Sequence, residues 1–279
     1  MSEDEFFASA VPERPYKPPK IDTSVAHIAR VYDYWLGGKD NFEVDRIAGQ
    51  EAIDTFPAVV SSVRANRAFL SRTVRYLTRE LGIRQFLDIG TGIPTANNTH
   101  EVAQSVVPES RVVYADNDPM VLAHARALLL GSAQGMTAYL DADLQDTEKI
   151  LYEAAETLDF TQPIAVMLVA VLHMITDEDD PAGIVTRLMD AVPAGSTLTI
   201  SHVPNDMHTG AMAQVSERLN RLLSHRTTYR SKEQVTAYFD GLELVPPGVV
   251  PIQQWRPDTE EEANATAVMW GGVGRKTGS

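Results

Sequence analysis

Phe86-Leu87-Asp88-Ile89-Gly90-Thr91-Gly92-Ile93-Pro94-Thr95 decides how the rest of the chain is read. Phe86 to Ile89 reads as a short buried strand. Gly90 and Gly92 permit a tight turn, and His100, Val102, Ala103, Val106 and Val107 then recur with a helical period. Strand, glycine turn and helix together bring backbone N–H groups close to a nucleotide-like ligand. Any tight strand-to-helix turn favours glycine, so the pair alone says little. Asp88, two residues before it, narrows the reading.

The narrowing is electrostatic. A pyrophosphate set against this turn at the positive end of the helix would be repelled by Asp88. The third glycine of a G-x-G-x-x-G dinucleotide turn would fall at position 95, which is Thr95. S-adenosylmethionine (SAM) brings a sulfonium and an ammonium instead, which a carboxylate attracts. Asp88-Ile89-Gly90-Thr91-Gly92 resembles the D-x-G-x-G signature of SAM-dependent methyltransferases, with Pro94 where their next glycine usually stands. Asp88, Gly90, Thr91, Gly92 and Pro94 are the expected cofactor loop.

The 279 residues suffice for one α/β domain with an appendage. Hydrophobic residues make up 44% and charged residues 22%, as in ordinary globular proteins. The chain has no cysteine, which excludes disulfides, thiolate nucleophiles and cysteine-ligated metals. A net charge of −14 disfavours nucleic acid and anionic membrane as partners. Residues 1–20, with Pro12, Pro15, Pro18 and Pro19, read as a disordered lead-in without a signal-peptide pattern. The longest apolar run, Pro163 to Ile175, is too short to span a bilayer. A cytoplasmic location is expected.

Residues 21–83 read as a helical cap. Ile28, Val31, Trp35 and Leu36 share one helical face that Gly37-Gly38 ends. A second helix is expected from Phe42 to Thr55 and a third from Ala58 to Glu80. From Arg84 the strands and helices alternate, which argues a mostly parallel sheet with helices on both faces. Strands are expected at Phe86–Ile89, Arg111–Ala115, Met136–Leu140, Ile164–Ala170 and Ser196–Ser201. Among the helices, one is expected to open at Asp118-Pro119 and reach Leu130. A helix at Ala211–Leu223, within residues 205–230, could act as a lid. Ser231 and Gln234 form a capping box. Leu242–Val245 and Ala265–Trp270 are expected to close an antiparallel end, with Gly271 to Ser279 a fraying tail. Seven strands so arranged are those of class I methyltransferases, a Rossmann-like α/β fold; residues 84–279 would form that core.

Asp116 ends the second strand, where an α/β nucleotide fold takes ribose hydroxyls; Asn117 sits beside it and Asp118 reads as the helix cap. Asp143, ahead of Asp141, is expected to accept from an adenine amino group with Leu144 against the ring, the alternative being a solvated loop. His173, after the fourth strand, resembles the His of the V-L-H-x-[IL] segment in many small-molecule methyltransferases. His202 ends the fifth strand and faces the same crevice. Either could be catalytic, line the ligand site, or simply be packed. Arg30, Tyr32, Tyr34 and Asn41 could close over the ligand or only dock the cap. No metal site is expected.

Three further stretches accompany the loop: Ala29-Arg30-Val31-Tyr32-Asp33-Tyr34 with Gly37-Gly38-Lys39-Asp40-Asn41-Phe42, Thr99-His100-Glu101-Val102-Ala103-Gln104, and Val112-Val113-Tyr114-Ala115-Asp116-Asn117-Asp118-Pro119. Together they resemble the actinobacterial S-adenosyl methyltransferase family, over about residues 22–276. The resemblance implies the class I fold and SAM as cofactor, and leaves the acceptor unnamed. The leading expectation is methyl transfer from SAM to a small or medium-sized molecule by direct displacement. A non-catalytic SAM-binding sensor or partner subunit is the alternative, and Asp88 and Thr95 disfavour an NAD-dependent oxidoreductase. Oligomeric state is left open.

Overall fold

The computed structural model describes residues 21–128 and 135–278. The expected lead-in at 1–20 and the end of the helix expected to reach Leu130 lie outside the described residues. Three helices come first: α1 (Ile28–Leu36), α2 (Glu43–Thr55) and α3 (Ala58–Arg79). Strands and helices then alternate: β1 (Gln85–Ile89), α4 (Thr99–Val106), β2 (Arg111–Asp116), α5 (Pro119–Leu128), β3 (Met136–Asp141), α6 (Thr147–Ala154), β4 (Ala165–Val169), α7 (Pro181–Asp190) and β5 (Thr197–His202). The chain continues through α8 (Thr209–Leu222), α9 (Lys232–Ala237), β6 (Glu243–Leu244), β7 (Val250–Pro251), α10 (Glu260–Ala263) and β8 (Trp270–Arg275).

The sheet runs β3-β2-β1-β4-β5-β8-β6, with β7 also paired to β8. β1 to β5 are mutually parallel and β8 is antiparallel to β5. The strand order reverses between β1 and β4, the position at which an open sheet leaves a crevice beyond its carboxyl ends. β1 and β4 are buried at every residue; β4 is a continuous apolar run, as a central parallel strand should be, while β1 also buries Gln85 and Asp88.

Strand alternation sends side chains into two cores. Leu87, Ile89, Val166 and Leu168 meet α6, α7 and α9 through Ile150, Leu188 and Val235. Phe86, Ala165 and Met167 meet α3 and α4 through Phe69, Leu77 and Val102 on the other face. Burying each large side chain contributes roughly 1.5–3 kcal/mol. A third cluster joins Val31 and Trp35 of α1, Ala48 and Ala52 of α2 and Val63 of α3 to Val215 and Leu219 of α8. The N-terminal helices and the 205–230 segment thus share one apolar interior.

The end of the chain differs from expectation. The last long strand is Trp270–Arg275, five residues later than expected, and its middle is buried rather than frayed. Gly271, Gly272 and Gly274 suggested a tail, yet here they permit close packing. A Cβ on Gly274 would lie 2.7 Å from the Phe239 ring, and one on Gly271 would lie 2.7 Å from Ile252 Cγ2. Residues 265–269 are not a strand, although Ala267, Val268 and Met269 are buried. Their apolar character is spent on packing, without a ladder.

Gly274→Val should lower stability by about 1–3 kcal/mol, the usual cost of overpacking. Urea unfolding would show it as a lower midpoint with an unchanged slope. An unchanged midpoint would mean that Phe239 and Leu242 yield freely.

Candidate functional site

The site starts from the backbone of the β1–α4 turn. Gly90 and Gly92 have φ of 73° and 64°, a region side chains other than glycine rarely adopt. A Cβ on Gly90 would also lie 2.2 Å from Val171 Cγ2. The turn is tied to the next strand: Gly92 N–H donates to Asp116 Oδ2 at 2.8 Å, and Asp118 N–H donates to Asp116 Oδ1 at 2.9 Å. Asp118 in turn accepts from Met120 N–H at 2.7 Å at the start of α5, the N-cap position read from Asp118-Pro119.

Asp88 lies one strand over, and its Oδ2 accepts from the Thr99 hydroxyl at 2.6 Å. Burial pushes the Asp88 carboxyl up to about 6; Thr99 and Arg67 oppose the rise and Asp116 adds to it. Burial likewise raises Asp116, against the two N–H groups that it accepts. Both effects follow from placing carboxylates where water solvates them poorly.

These groups open on one cleft. Asp88 to Ile93, Ala115 to Asn117 and Ala142 to Gln145 form its sheet side, closed by Val169 to Val171 after β4. Asn117 Nδ2 donates to Asp143 Oδ2 at 2.7 Å, and Gln145 N–H donates to Asp143 Oδ1 at 2.9 Å. Asp143 and Leu144 line the cleft and Asp141 does not. Pro94 faces a smaller recess behind the loop, shared with Thr99, Tyr114 and Tyr139.

Helix α3 contributes Asn66 and Arg67, which the sequence reading passed over. Arg67 Nη2 donates to the carbonyls of Ala96 and Asn97 at 3.2 and 3.0 Å and to Asn98 Oδ1 at 3.2 Å. Its Nε is buried without a partner among the described residues. A signal existed: Asn66 and Arg67 fall three and four residues after Val63, on the inward stripe of an otherwise apolar face. His27 and His225 also reach the cleft. His225 sits in a loop without periodicity, so nothing in the sequence marked it.

The expected cap residues divide. Tyr32 lines the cleft, its hydroxyl donating to Val63 O at 3.2 Å and accepting from Asn66 Nδ2 at 3.1 Å. Arg30 turns away from it. Its guanidinium donates to the carbonyls of Asp22 and Val25 at 2.9 and 2.8 Å, and its Nε lies 3.3 Å from Asp45. The Tyr34 hydroxyl donates to Gln50 at 3.0 Å, and Asn41 donates to Asp33 at 2.8 Å. Neither lines the cleft, because the helical period turns Tyr34 two residues away from Tyr32.

A second cavity adjoins the first, sharing Ile28, Tyr32 and Ala170. Ala170 has a φ of 56°, uncommon for a residue other than glycine. His173 lines this cavity, and its Nδ1 is buried with no partner among the described residues. Burial, reinforced by Arg230, pulls its pKa down to about 4. His202 lines neither cavity. Its Nδ1 donates to Val203 O at 2.8 Å, which leaves Nε2 as the acceptor for Arg230 Nη1 at 3.2 Å. Burial first, then His173, hold His202 well below the usual imidazole range. Among the described residues no group of three His, Asp or Glu is placed to hold a metal ion, and no helix is long and apolar enough to cross a membrane.

Comparison with known proteins agrees with the fold. The model of a family described as S-adenosyl methyltransferase matches residues 14–277. A DUF574 family protein of known structure from Streptomyces avermitilis is 44% identical, with 92% of this chain and 100% of that chain covered and a TM-score of 0.89. A candidate methyltransferase from Thermobifida fusca is 40% identical, with 95% and 100% covered and a TM-score of 0.86. A SAM-dependent methyltransferase from Anabaena variabilis, 13% identical over 94% of this chain and 100% of that chain, shares the fold at a TM-score of 0.50. No curated protein matches. With its α/β sheet, glycine turn and paired strand-end carboxylates, the chain belongs to the S-adenosyl methyltransferase family and uses SAM as its cofactor.

Proposed function

We propose that this protein transfers a methyl group from SAM to a small or medium-sized molecule by direct displacement. One observation carries the reading: two buried carboxylates, Asp88 and Asp116, end adjacent strands and open on the same cleft as Arg67. The residues present fit SAM. Asp88 and Arg67 match the ammonium and carboxylate of its methionine moiety, and the unpartnered Arg67 Nε is a donor available for that carboxylate. Asp116 has acceptors for ribose hydroxyls. Asp143 can accept from an adenine amino group, with Ala142 and Leu144 against the ring.

SAM, when bound, supplies a methyl carbon on a sulfonium sulfur that keeps the bonding electron pair on displacement. The chain's own contribution is alignment and exclusion of water. Tyr32 and Ala170, common to both cavities, mark the boundary across which acceptor and methyl donor would meet. His173 is uncharged at neutral pH, because its pKa is drawn to about 4. It can accept a hydrogen bond from an acceptor hydroxyl or amine, and it serves as a base only for an acceptor that must lose its proton. Arg30, Tyr34 and His202, held in hydrogen bonds away from both cavities, act as supports in this proposal.

The decisive experiment is release of S-adenosylhomocysteine with an acceptor present. SAM and S-adenosylhomocysteine should bind at micromolar levels while NAD does not; tight NAD binding without SAM binding would overturn the proposal. The affinity should also depend on pH with a definite sign. With a ligand-free pKa of about 6, Asp88 takes up a proton below that pH and loses its attraction for an ammonium. Binding of S-adenosylhomocysteine should therefore weaken about tenfold per pH unit below 6, and Asp88→Asn should flatten the profile. Calorimetry giving the same profile for both proteins would remove Asp88 from the ammonium site.

The N-terminal helices should respond to ligand, since His27, Ile28, Ala29, Tyr32 and Leu36 line the cleft. Amide exchange in residues 28–36 should slow on adding S-adenosylhomocysteine, together with residues 90–97. Protection confined to 90–97 would make these helices a purely structural addition.

A further inference from the structure

The second cavity is built unlike the first. The cleft carries Arg67, Asp88, Asp116 and Asp143, whereas no Asp, Glu, Lys or Arg lines the second cavity among the described residues. Its walls are apolar side chains from two elements that face one another, Val59 and Val63 of α3 and Met212, Val215 and Leu219 of α8. Its polar groups are largely committed to the protein. Ser62 Oγ donates to Ala58 O at 2.8 Å and accepts from Val268 N–H at 2.9 Å. Trp35 Nε1 donates to Gly49 O at 3.0 Å, and the Tyr32 hydroxyl has Val63 O and Asn66 as partners. His173 Nδ1 has none.

Titration adds no charge near neutrality. Burial raises the Tyr32 phenol and pushes Tyr229 up to about 12, while His173 is drawn down to about 4. A molecule entering here leaves water for walls without a counter-ion. An ionised group would lose its hydration uncompensated, whereas an uncharged apolar body would gain by burial. A single hydroxyl or amine could still be satisfied at His173.

We infer that the second cavity is the acceptor site and that the acceptor is an uncharged, largely apolar molecule carrying one hydroxyl or amine toward His173. The inference rests on the methyl-transfer proposal, because the cavity meets the SAM cleft at Ile28, Tyr32 and Ala170. It goes further in assigning a pocket, a charge state and a polar contact to the acceptor.

The test uses the full chain saturated with S-adenosylhomocysteine and reads binding by calorimetry, so it does not depend on turnover. The probes are 1-naphthol, naphthalene and 1-hydroxy-2-naphthoate. Wild type should bind 1-naphthol at least tenfold more tightly than the carboxylate, and about fivefold more tightly than naphthalene. His173→Phe should erase the preference for 1-naphthol over naphthalene. Val59→Trp and Val203→Phe, which fill the cavity from α3 and from the end of β5, should each weaken 1-naphthol at least tenfold. Neither residue lines the cleft, so S-adenosylhomocysteine affinity should stay within twofold, which also shows that the variants fold. Equal binding of the carboxylate, or 1-naphthol binding unchanged in both filled variants, would overturn the inference. So would a wild type that binds S-adenosylhomocysteine and none of the three probes. Loss of S-adenosylhomocysteine binding by wild type would instead strike the methyl-transfer proposal, so the two failures are distinct.

Discussion

The burial of two carboxylates side by side at the carboxyl edge of the sheet is the constraint on which the rest depends. Asp88 is 5% and Asp116 9% exposed, and neither forms a salt bridge among the described residues. Raising Asp88 from 3.8 to about 6 corresponds to roughly 3 kcal/mol against its charged form. Hydrogen bonds hold the pair in place of counter-ions. Thr99 at the start of α4 supports Asp88, and the N–H groups of Gly92 and Asp118 support Asp116. A cation arriving beside Asp88 relieves a penalty already present in the folded protein. The carboxylates are therefore more useful to a cationic ligand than the same groups would be in water.

The same edge explains why residues distant in sequence must converge. A cleft beyond the strand ends is open on one side, and here α1 and α3 line that side, together with His225 after α8. These helices pack on α8 through one apolar cluster, in which Val215 and Leu219 join Val31, Trp35 and Ala52. Backbone pairing reinforces this packing, with Ala26 bridged to Leu223 and Ser224 N–H donating to Ala26 O at 3.1 Å. Residues of α1 and α3 line both cavities and α8 lines the second, so the interior that stabilises these helices also sets the shape available to ligands.

Arg230 fastens the segment following α8 to the segment following β4. Its guanidinium donates to the carbonyls of Leu172 and Ile175 at 3.1 and 2.9 Å and pairs with Asp177 at 2.6 Å. Removing a buried cation of this kind leaves carbonyls unsatisfied as well as an ion pair broken. Its neighbour His202 is held uncharged by burial, so the two coexist without a further positive charge. This buried network accounts for His202 being fixed in the interior, although its strand ends at the crevice.

Local sequence determined most of the frame. Alternating apolar runs and caps such as Asp118-Pro119 and Ser231 with Gln234 act within a few residues, and the strands and helices fell close to where they were read. The glycine turn, Asp116, Asn117, Asp143 and Leu144 were legible for the same reason: each occupies a fixed offset from a strand end. Only the tertiary structure decided what a single segment cannot encode. It turned Tyr32 inward and Arg30 away, it paired α8 with the N-terminal helices, and it made Gly271, Gly272 and Gly274 a packed strand rather than a tail. Arg67 stands between these cases, since its place on the inward stripe of α3 was visible but its proximity to Asp88 depended on how α3 crosses β1. Periodicity records which face of an element is inside; which partner waits there is set by packing between elements far apart in the chain.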